Sequence, residues 1–391
     1  MFSKNLNFSD ALKLSAGHEF SLIIKPVGDR CNLNCDYCYY KSSDCSKTIT
    51  AEEIMSDDIV EELIFDYIVG SRTSEIVFCW HGGEPLLAGI KFFRKVLAFQ
   101  AKHSGYKNII NTIQTNGTLI NYEWAHFFAT NNFLVGISID GPETIHDYYR
   151  KGKGGKGSFK AAMRGLANLK KAGVSFNTLT VVTDHSQDKG REIYQFLKDA
   201  GSIHMQFLPA ADFVEGEMGI VNPAPWNPAP DGYGKFMADI FDVWHKNDIG
   251  TIFVQRFETI LACYAQYPVR LCSFATVCGD VPVVEKNGDI FRCDHYVRDY
   301  KPAGNIKEVR ISRAINSADQ LEFGINKRDS LPEECLSCEF YFACKGGCPK
   351  HRYPEGAGDK SGKYYLCEGK KLFLRHTGDR FERLATQNRL V

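Results

Sequence analysis

FSLIIKPVGDRCNLNCDYCYYK, residues 20–41, decides how the rest of the chain is read. Residues 20–26 are apolar enough for a strand, and the polar loop after them carries Cys31-x3-Cys35-x2-Cys38. A four-iron, four-sulfur cluster needs four ligands, so three thiolates leave one iron open. An open position also separates a catalytic zinc from a structural one, because a small molecule can bind there. A lone C-x2-C carries little information, whereas C-x3-C-x2-C followed by an aromatic residue carries much more. Two plainer readings exist: half of a zinc site, or buried thiols packed as small hydrophobes. Asn32, Asn34, Asp36 and the Gly28-Asp29 turn are loop chemistry and argue against both.

From about residue 18 to 215 the pattern alternates. Strands are predicted at 20–26, 75–80, 108–115, 133–140, 174–182 and 204–209, and amphipathic helices at 52–69, 89–103, 121–131, 158–172 and 187–200. Thr50 and Asn121 stand where helix N-caps belong. Repeated βαβ units predict a parallel sheet buried on both faces. Six of them make either a partial barrel or an open doubly wound sheet, and periodicity does not choose. Residues 212–232 are rich in Pro and Gly and predict a loop or lid beside the site. Helices are predicted at 233–247 and 255–266. Beyond residue 270 come short strands, turns and cysteines, with a hairpin over 281–293 turning at Asn287-Gly288.

The 391 residues suffice for one large domain and a smaller one. Lys+Arg and Asp+Glu both number 47, so no net charge favours a nucleic acid partner. The first twenty residues lack the apolar core of a signal peptide, and no run approaches the roughly 18 apolar residues of a membrane span. The expected location is cytoplasmic, with no membrane partner. That compartment disfavours structural disulfides, yet the chain has 14 cysteines. Only Cys45, Cys79 and Cys263 fall outside two groups, at 31–38 and 272–367. Such clustering points to metal–sulfur chemistry.

The strand at 75–80 runs into His81-Gly82-Gly83-Glu84. Glycines at a strand's C-terminal end let the backbone approach a ligand, and Glu84 can accept hydrogen bonds from an ammonium group. Alone, Gly-Gly-Glu reads better as a tight turn; after an open-cluster motif it reads as a binding loop. Ser138, at the end of a later strand, can bond a ribose hydroxyl. Arg150 can reach a carboxylate, or else is a solvated residue of a basic turn. Leu208, on the last strand, can pack an adenine ring. The cysteines Cys272, Cys278, Cys293, Cys335, Cys338, Cys344, Cys348 and Cys367 suffice for two fully ligated four-iron clusters, or for a pair of zinc ribbons. Spacing does not say which four belong together. Asp294 follows Cys293 directly; near a substrate it can take a proton from a thiol or hydroxyl.

Together, KPVGDRCNLNCDYCYY, FCWHGGEPLLAG, IQTNGTLIN, VGISIDGP, RCDHYV and CKGGCPKHR followed by YYLC resemble the anaerobic sulfatase-maturating enzymes, over roughly residues 20–370. These are radical S-adenosylmethionine (SAM) enzymes with a C-terminal twin-cluster SPASM domain. The resemblance implies an α/β fold: a partial (β/α)6 barrel over 18–215, connecting loop and helices over 216–268, the cysteine-rich SPASM domain over 269–370, and a C-terminal helix or tail over 371–391. It implies three [4Fe-4S] clusters: one on Cys31, Cys35 and Cys38 that binds SAM, a nearer auxiliary one on Cys272, Cys278, Cys293 and Cys348, and a farther one on Cys335, Cys338, Cys344 and Cys367. Gly82, Gly83 and Glu84 would take the SAM amino group. Tyr40 would lie close to the site. His81 stands where many members have Gln, beside the substrate, and would help to position the peptide.

The implied reaction oxidises Cys or Ser in a Cys/Ser-x-Pro-x-Arg motif of an unfolded or nascent sulfatase to Cα-formylglycine. SAM cleavage yields a 5′-deoxyadenosyl radical that takes a hydrogen from Cβ, Asp294 takes the proton, and the auxiliary clusters take an electron. A donor such as flavodoxin or ferredoxin would supply reducing electrons. The nearest alternative is another SPASM peptide maturase, for example a thioether-forming one. Too few residues precede Cys31 for the recognition domain many of those carry, which favours the sulfatase reading. A zinc-ribbon binding module explains neither the Gly-Gly-Glu loop nor the polar strand ends.

Overall fold

Six strands run parallel and side by side in chain order: β1 (Leu22–Ile24), β2 (Glu75–Trp80), β3 (Asn108–Thr115), β4 (Leu134–Ser138), β5 (Phe176–Val182) and β6 (His204–Pro209). The computed structural model describes residues 19–40, 54–215, 221–297, 299–355 and 357–388, so Cys45 and the expected cap Thr50 lie outside the described residues. Crossovers carry α1 (Asp57–Gly70), α2 (Gly89–His103), α3 (Tyr122–Thr130), α4 (Glu143–Tyr149) with α5 (Phe159–Lys171), and α6 (Gly190–Asp199). Asn121 caps α3 as expected, its side chain accepting from Trp124 N. Helix α1 begins at Asp57 rather than near 52, with Asp57 and Asp58 in its first turn, where carboxylates favour the helix dipole.

Strand order 1-2-3-4-5-6 settles what periodicity left open. A doubly wound sheet reverses at a switch point, whereas a barrel winds one way throughout. The barrel does not close, because β9 (Phe253–Val254) pairs with β6 and β10 (Val283–Val284) pairs with β1. The fold is therefore a partial (β/α)6 barrel.

The sheet is not buried in protein on both faces. Ile76, Phe78 and Trp80 on β2, Ile113 on β3 and Met205 and Phe207 on β6 are buried. Gln114, Ser138, Leu179, Val181 and Leu208 line a cavity instead. Alternate residues of a strand point to opposite faces, so the inner face of an open barrel supplies a binding wall.

The region 212–232 is more than a loop: β7 (Phe213–Glu215) and β8 (Val221–Pro223) pair antiparallel within it. Helices α7 (Gly232–Asn247) and α8 (Gln255–Tyr264) follow. The hairpin of β10 and β11 (Asp289–Phe291) turns at Asn287-Gly288, where Gly288 has φ +87°. With β12 (Gly304–Asn305), these strands extend the main sheet past β1. The sheet thus crosses the expected boundary at 269. The last region adds α9 (Ile311–Ile315), α10 (Ala318–Asp329), α11 (Glu333–Leu336), α12 (Tyr341–Cys344) and α13 (Cys367–Asn388). Helix α13 starts at Cys367, not in the expected tail from 371, and its Phe381 ring lies 4.7 Å from that of Phe241 on α7.

Candidate active site

A cavity of ≈1230 Å³ opens where β1–β6 end, with Cys31, Cys35, Cys38, Tyr40, His81, Gly82, Gly83, Ser138, Arg150, Leu208 and Asp294 in its wall. Cys272, Cys293 and Cys348 line it from the other side. Two regions far apart in sequence therefore share one chamber.

The three-cysteine loop is held against the next loop by close backbone contact. Gly83 N donates to Gly28 O at 2.8 Å and Glu84 N to Arg30 O at 2.8 Å. A Cβ on Gly83 would sit 2.2 Å from Arg30 O, so no other residue fits. The glycines serve loop-to-loop contact as well as exposure to the cavity. Burial pushes the Cys31 thiol up to about 12 against a hydrogen bond from Leu33 N–H, and the charges of Glu84, Cys35 and Cys38 push the same way. Thiols crowded like this ionise together only around positive charge, which a metal cluster supplies.

The later thiols sort into two sets by which charges act on which. Cys278 is pushed up to about 12 by burial, with Cys272 and Cys348 adding; Cys293, also raised by burial, feels Cys348 and Cys272. Cys335, raised by burial, feels Cys344 and Cys338; Cys367, at about 11 for the same reason, feels Cys344 and Cys335. The eight later cysteines are free thiols. Eight free thiols in two groups of four, the first group bordering the cavity, fit cluster ligation. His295 and His351 approach Cys348, and ligand atoms of the three lie within 4.8 Å of one another.

Asp294 sits in a buried ionic knot. Its Oδ1 is 2.6 Å from Lys25 Nζ, which is also 3.0 Å from Glu285 Oε1. Tyr40 donates to it at 3.2 Å, Tyr39 donates more closely, and Lys25 Nζ lies 4.4 Å from the Tyr40 ring centroid. Burial works to raise the Asp294 pKa, but Lys25, His81 and these hydrogen bonds hold it well below the usual carboxylate range. Burial likewise works against the Lys25 charge, and Asp294 and Glu285 overrule it, raising its pKa. His81 Nδ1 accepts from Gly82 N at 2.7 Å, so neutral His81 carries its proton on Nε2.

Glu84 departs from expectation. It is buried and does not line the cavity; its carboxylate accepts from Leu86 N (3.1 Å), Thr115 Oγ1 (2.7 Å) and Asn116 N (2.8 Å). The residue ties β3's end to the Gly-Gly loop. Arg150 is buried, not solvated: its Nε donates to Asp140 Oδ2 at 2.9 Å and its guanidinium lies 5.4 Å from the Tyr37 ring centroid. No hydrogen bond among the described residues uses its terminal nitrogens. Gln114 Oε1 and Trp226 Nε1 are buried without hydrogen-bond partners among the described residues, and both residues line the cavity. A polar ligand there would satisfy them.

Sequence reasoning missed Lys25, Glu285, Tyr39 and Trp226. Lys25 alone had a visible signal, a cation ending an apolar strand.

The Radical SAM superfamily model matches residues 26–197, and the SPASM iron-sulfur cluster-binding domain model matches 272–339. A serine-type anaerobic sulfatase-maturating enzyme of Bacteroides thetaiotaomicron is 39% identical, over 91% of this chain and 88% of the relative. A cysteine-type enzyme of Clostridium perfringens is 33% identical, over 93% and 98%. The solved structure of native anSMEcpe with bound AdoMet and Cp18Cys peptide superposes with a TM-score of 0.85 at 31% identity, covering 95% of this chain and 100% of that one. No helix among the described residues is long and apolar enough to cross a membrane.

Proposed function

The chain belongs to the anaerobic sulfatase-maturating enzymes, and from that membership we propose that it oxidises Cys or Ser in the Cys/Ser-x-Pro-x-Arg motif of an unfolded or nascent sulfatase to Cα-formylglycine. The observation that carries this reading is the shared chamber, in which the three-cysteine loop faces Asp294 and the cysteines beside it. Cys31, Cys35 and Cys38 hold one cluster, Cys272, Cys278, Cys293 and Cys348 a nearer auxiliary one, and Cys335, Cys338, Cys344 and Cys367 a farther one. Bound together, SAM and the first cluster supply the radical that removes a hydrogen atom from the substrate Cβ.

The chain's own residues then bind, orient and move a proton. Gly82 and Gly83 present backbone to the SAM amine while Glu84 fixes their loop. Arg150 offers its terminal nitrogens to the SAM carboxylate, Ser138 meets the ribose, and Leu208 packs the adenine. Asp294, kept ionised by Lys25 and oriented by Tyr39 and Tyr40, accepts the thiol or hydroxyl proton. The same clamp makes it a weak base, suited to a proton that turns acidic once Cβ has lost its hydrogen. His81 donates from Nε2 to the peptide. Loss of a hydrogen atom, a proton and an electron completes a two-electron oxidation, with the electron leaving toward the eight later cysteines.

A flavodoxin or ferredoxin suits the one-electron, low-potential reduction that such clusters need. A reducing cytoplasm suits so many free thiols. The deciding experiment is anaerobic incubation of reconstituted enzyme with SAM, reductant and peptides bearing Cys-x-Pro-x-Arg or Ser-x-Pro-x-Arg, read by mass spectrometry. Formylglycine in at least one peptide is expected. SAM cleavage with neither peptide changed would transfer the chain to another SPASM-type maturase.

A further inference from the structure

Helix α10 lies along the loop that carries Cys272 and Cys278, and one face of it supplies the buried contacts. Gln320, Gly324 and Lys327 recur at helical spacing and are the buried residues of the helix. Gln320 Nε2 donates to Gly279 O at 2.6 Å and Arg292 O at 3.3 Å. Gly324 leaves the helix so near that a Cβ there would stand 2.2 Å from Cys278 O. Lys327 Nζ donates to Cys272 O at 2.7 Å and also to Ala275 O. Gln320 shows that a neutral amide can cap such carbonyls, so capping alone does not call for an ammonium group.

The ammonium is nonetheless there, at 1% exposure, and among the described residues it has no carboxylate partner. A buried cation without a counter-charge is strongly unfavourable. Burial works against its charge, and the groups that would favour it, once ionised, are Cys278, Cys272 and Cys348, three of one four-thiol set. Arg352 adjoins it, donating to Lys327 O at 2.8 Å, Ser330 Oγ at 3.0 Å and Gly346 O at 3.1 Å. Arg352 too is buried without a carboxylate partner among the described residues; burial works against its charge, while Cys335 of one set and Cys348 and Cys278 of the other favour it. One cation thus faces the nearer set alone, and the second stands between the two.

We propose that Lys327 is a positioning residue for the oxidation: it is the built-in counter-charge of the nearer auxiliary cluster and raises that cluster's reduction potential, with Arg352 acting on both clusters. This rests on the cluster assignment proposed above. Reduction adds one electron and no proton, so the site becomes more negative by one charge, and a fixed cation beside it favours the reduced state. The electron comes from the substrate after its hydrogen atom and proton have gone, and Lys327 makes the nearer set its first acceptor.

The test is an EPR-monitored redox titration of anaerobically reconstituted holoenzyme, with Lys327→Gln, Lys327→Arg and Arg352→Gln beside the wild type. Lys327→Gln keeps donors for the carbonyls and loses the charge. At full iron content its oxidised-to-reduced ratio for one auxiliary cluster, at fixed potential, should rise at least about tenfold, a fall of about 59 mV for one electron. Lys327→Arg should stay near wild type, and Arg352→Gln should lower both auxiliary potentials. Full iron with a wild-type potential in Lys327→Gln would overturn the proposal. Iron loss from Lys327→Gln but not Lys327→Arg supports the charge; loss from both overturns it in favour of shape alone. Wild-type enzyme holding zinc, or iron for one cluster only, would instead defeat the underlying assignment.

Discussion

Asp294 and Lys25 carry the argument at the scale of single residues. Their pairing spans the chain from the first strand to the residue after Cys293, so neither partner could be recognised from its own surroundings. Asp294→Asn keeps the shape and removes the acceptor. Formylglycine formation should fall at least about a hundredfold while SAM cleavage continues, both read from one anaerobic reaction by chromatography and mass spectrometry. Lys25→Met should act mainly on stability. It leaves the Glu285 and Asp294 carboxylates buried together without their cation, a loss of roughly 3–5 kcal/mol that a urea titration would show. The cysteines were legible one by one because a thiol's chemistry travels with its residue type. Glu84 was legible as a site residue, but its direction was not: the carboxylate turns to Thr115 and Asn116, a choice made by packing between two loops.

Among elements, the run from β4 to α5 shows how a helix terminus arranges a cavity-lining arginine. His146 on α4 accepts from Asp140 N through Nδ1 at 3.3 Å and bonds Ser158 Oγ through Nε2 at 3.0 Å, while Ser158 Oγ donates to Arg150 O at 2.8 Å. Burial lowers the His146 pKa from 6.5 to about 4. As pH falls, the unfolded chain takes up this proton first, so the residue costs the fold nothing above about pH 7 and progressively more below about 6.5. The slope should approach about 1.4 kcal/mol per pH unit down to about pH 4. Urea midpoints across that range should fall less steeply in His146→Gln than in the wild type, by about that slope, because buried His81, His295 and His351 keep their own share. Strands β2, β3 and β6 fall where alternation and β-branched runs placed them, at 75–80, 108–115 and 204–209. Strands β7 and β8 escaped because three-residue strands in a Pro-rich segment carry no periodicity to read.

Across the whole molecule, the cysteine-rich region is a structural part of the barrel. Strand β10 covers the edge of β1 in parallel register, Ile23 opposite Val283 and Ile24 opposite Val284, and Glu285 and Asp294 neutralise Lys25 from the same side. Truncation after residue 268 should therefore leave an exposed sheet edge and an unpaired buried lysine, and the shortened chain should aggregate. Gel filtration and circular dichroism would check this, and a monomeric, cooperatively folded fragment would refute it. By itself the amino-acid sequence determined that the chain alternates strand and helix, that three thiols precede a Gly-Gly-Glu loop, and that eight more gather near the end. These are properties of residue type and spacing, which survive without coordinates. Residue type and spacing left open, and the tertiary structure decided, that the strands wind one way into an open barrel and that Cys272, Cys293 and Cys348 border the same cavity as the first three thiols. It also decided that Lys25 and Lys327 stand as buried cations, one beside Asp294 and the other beside a four-thiol set. Each of those depends on contacts between residues distant in the chain, where local pattern holds no information and burial, charge and backbone approach act together.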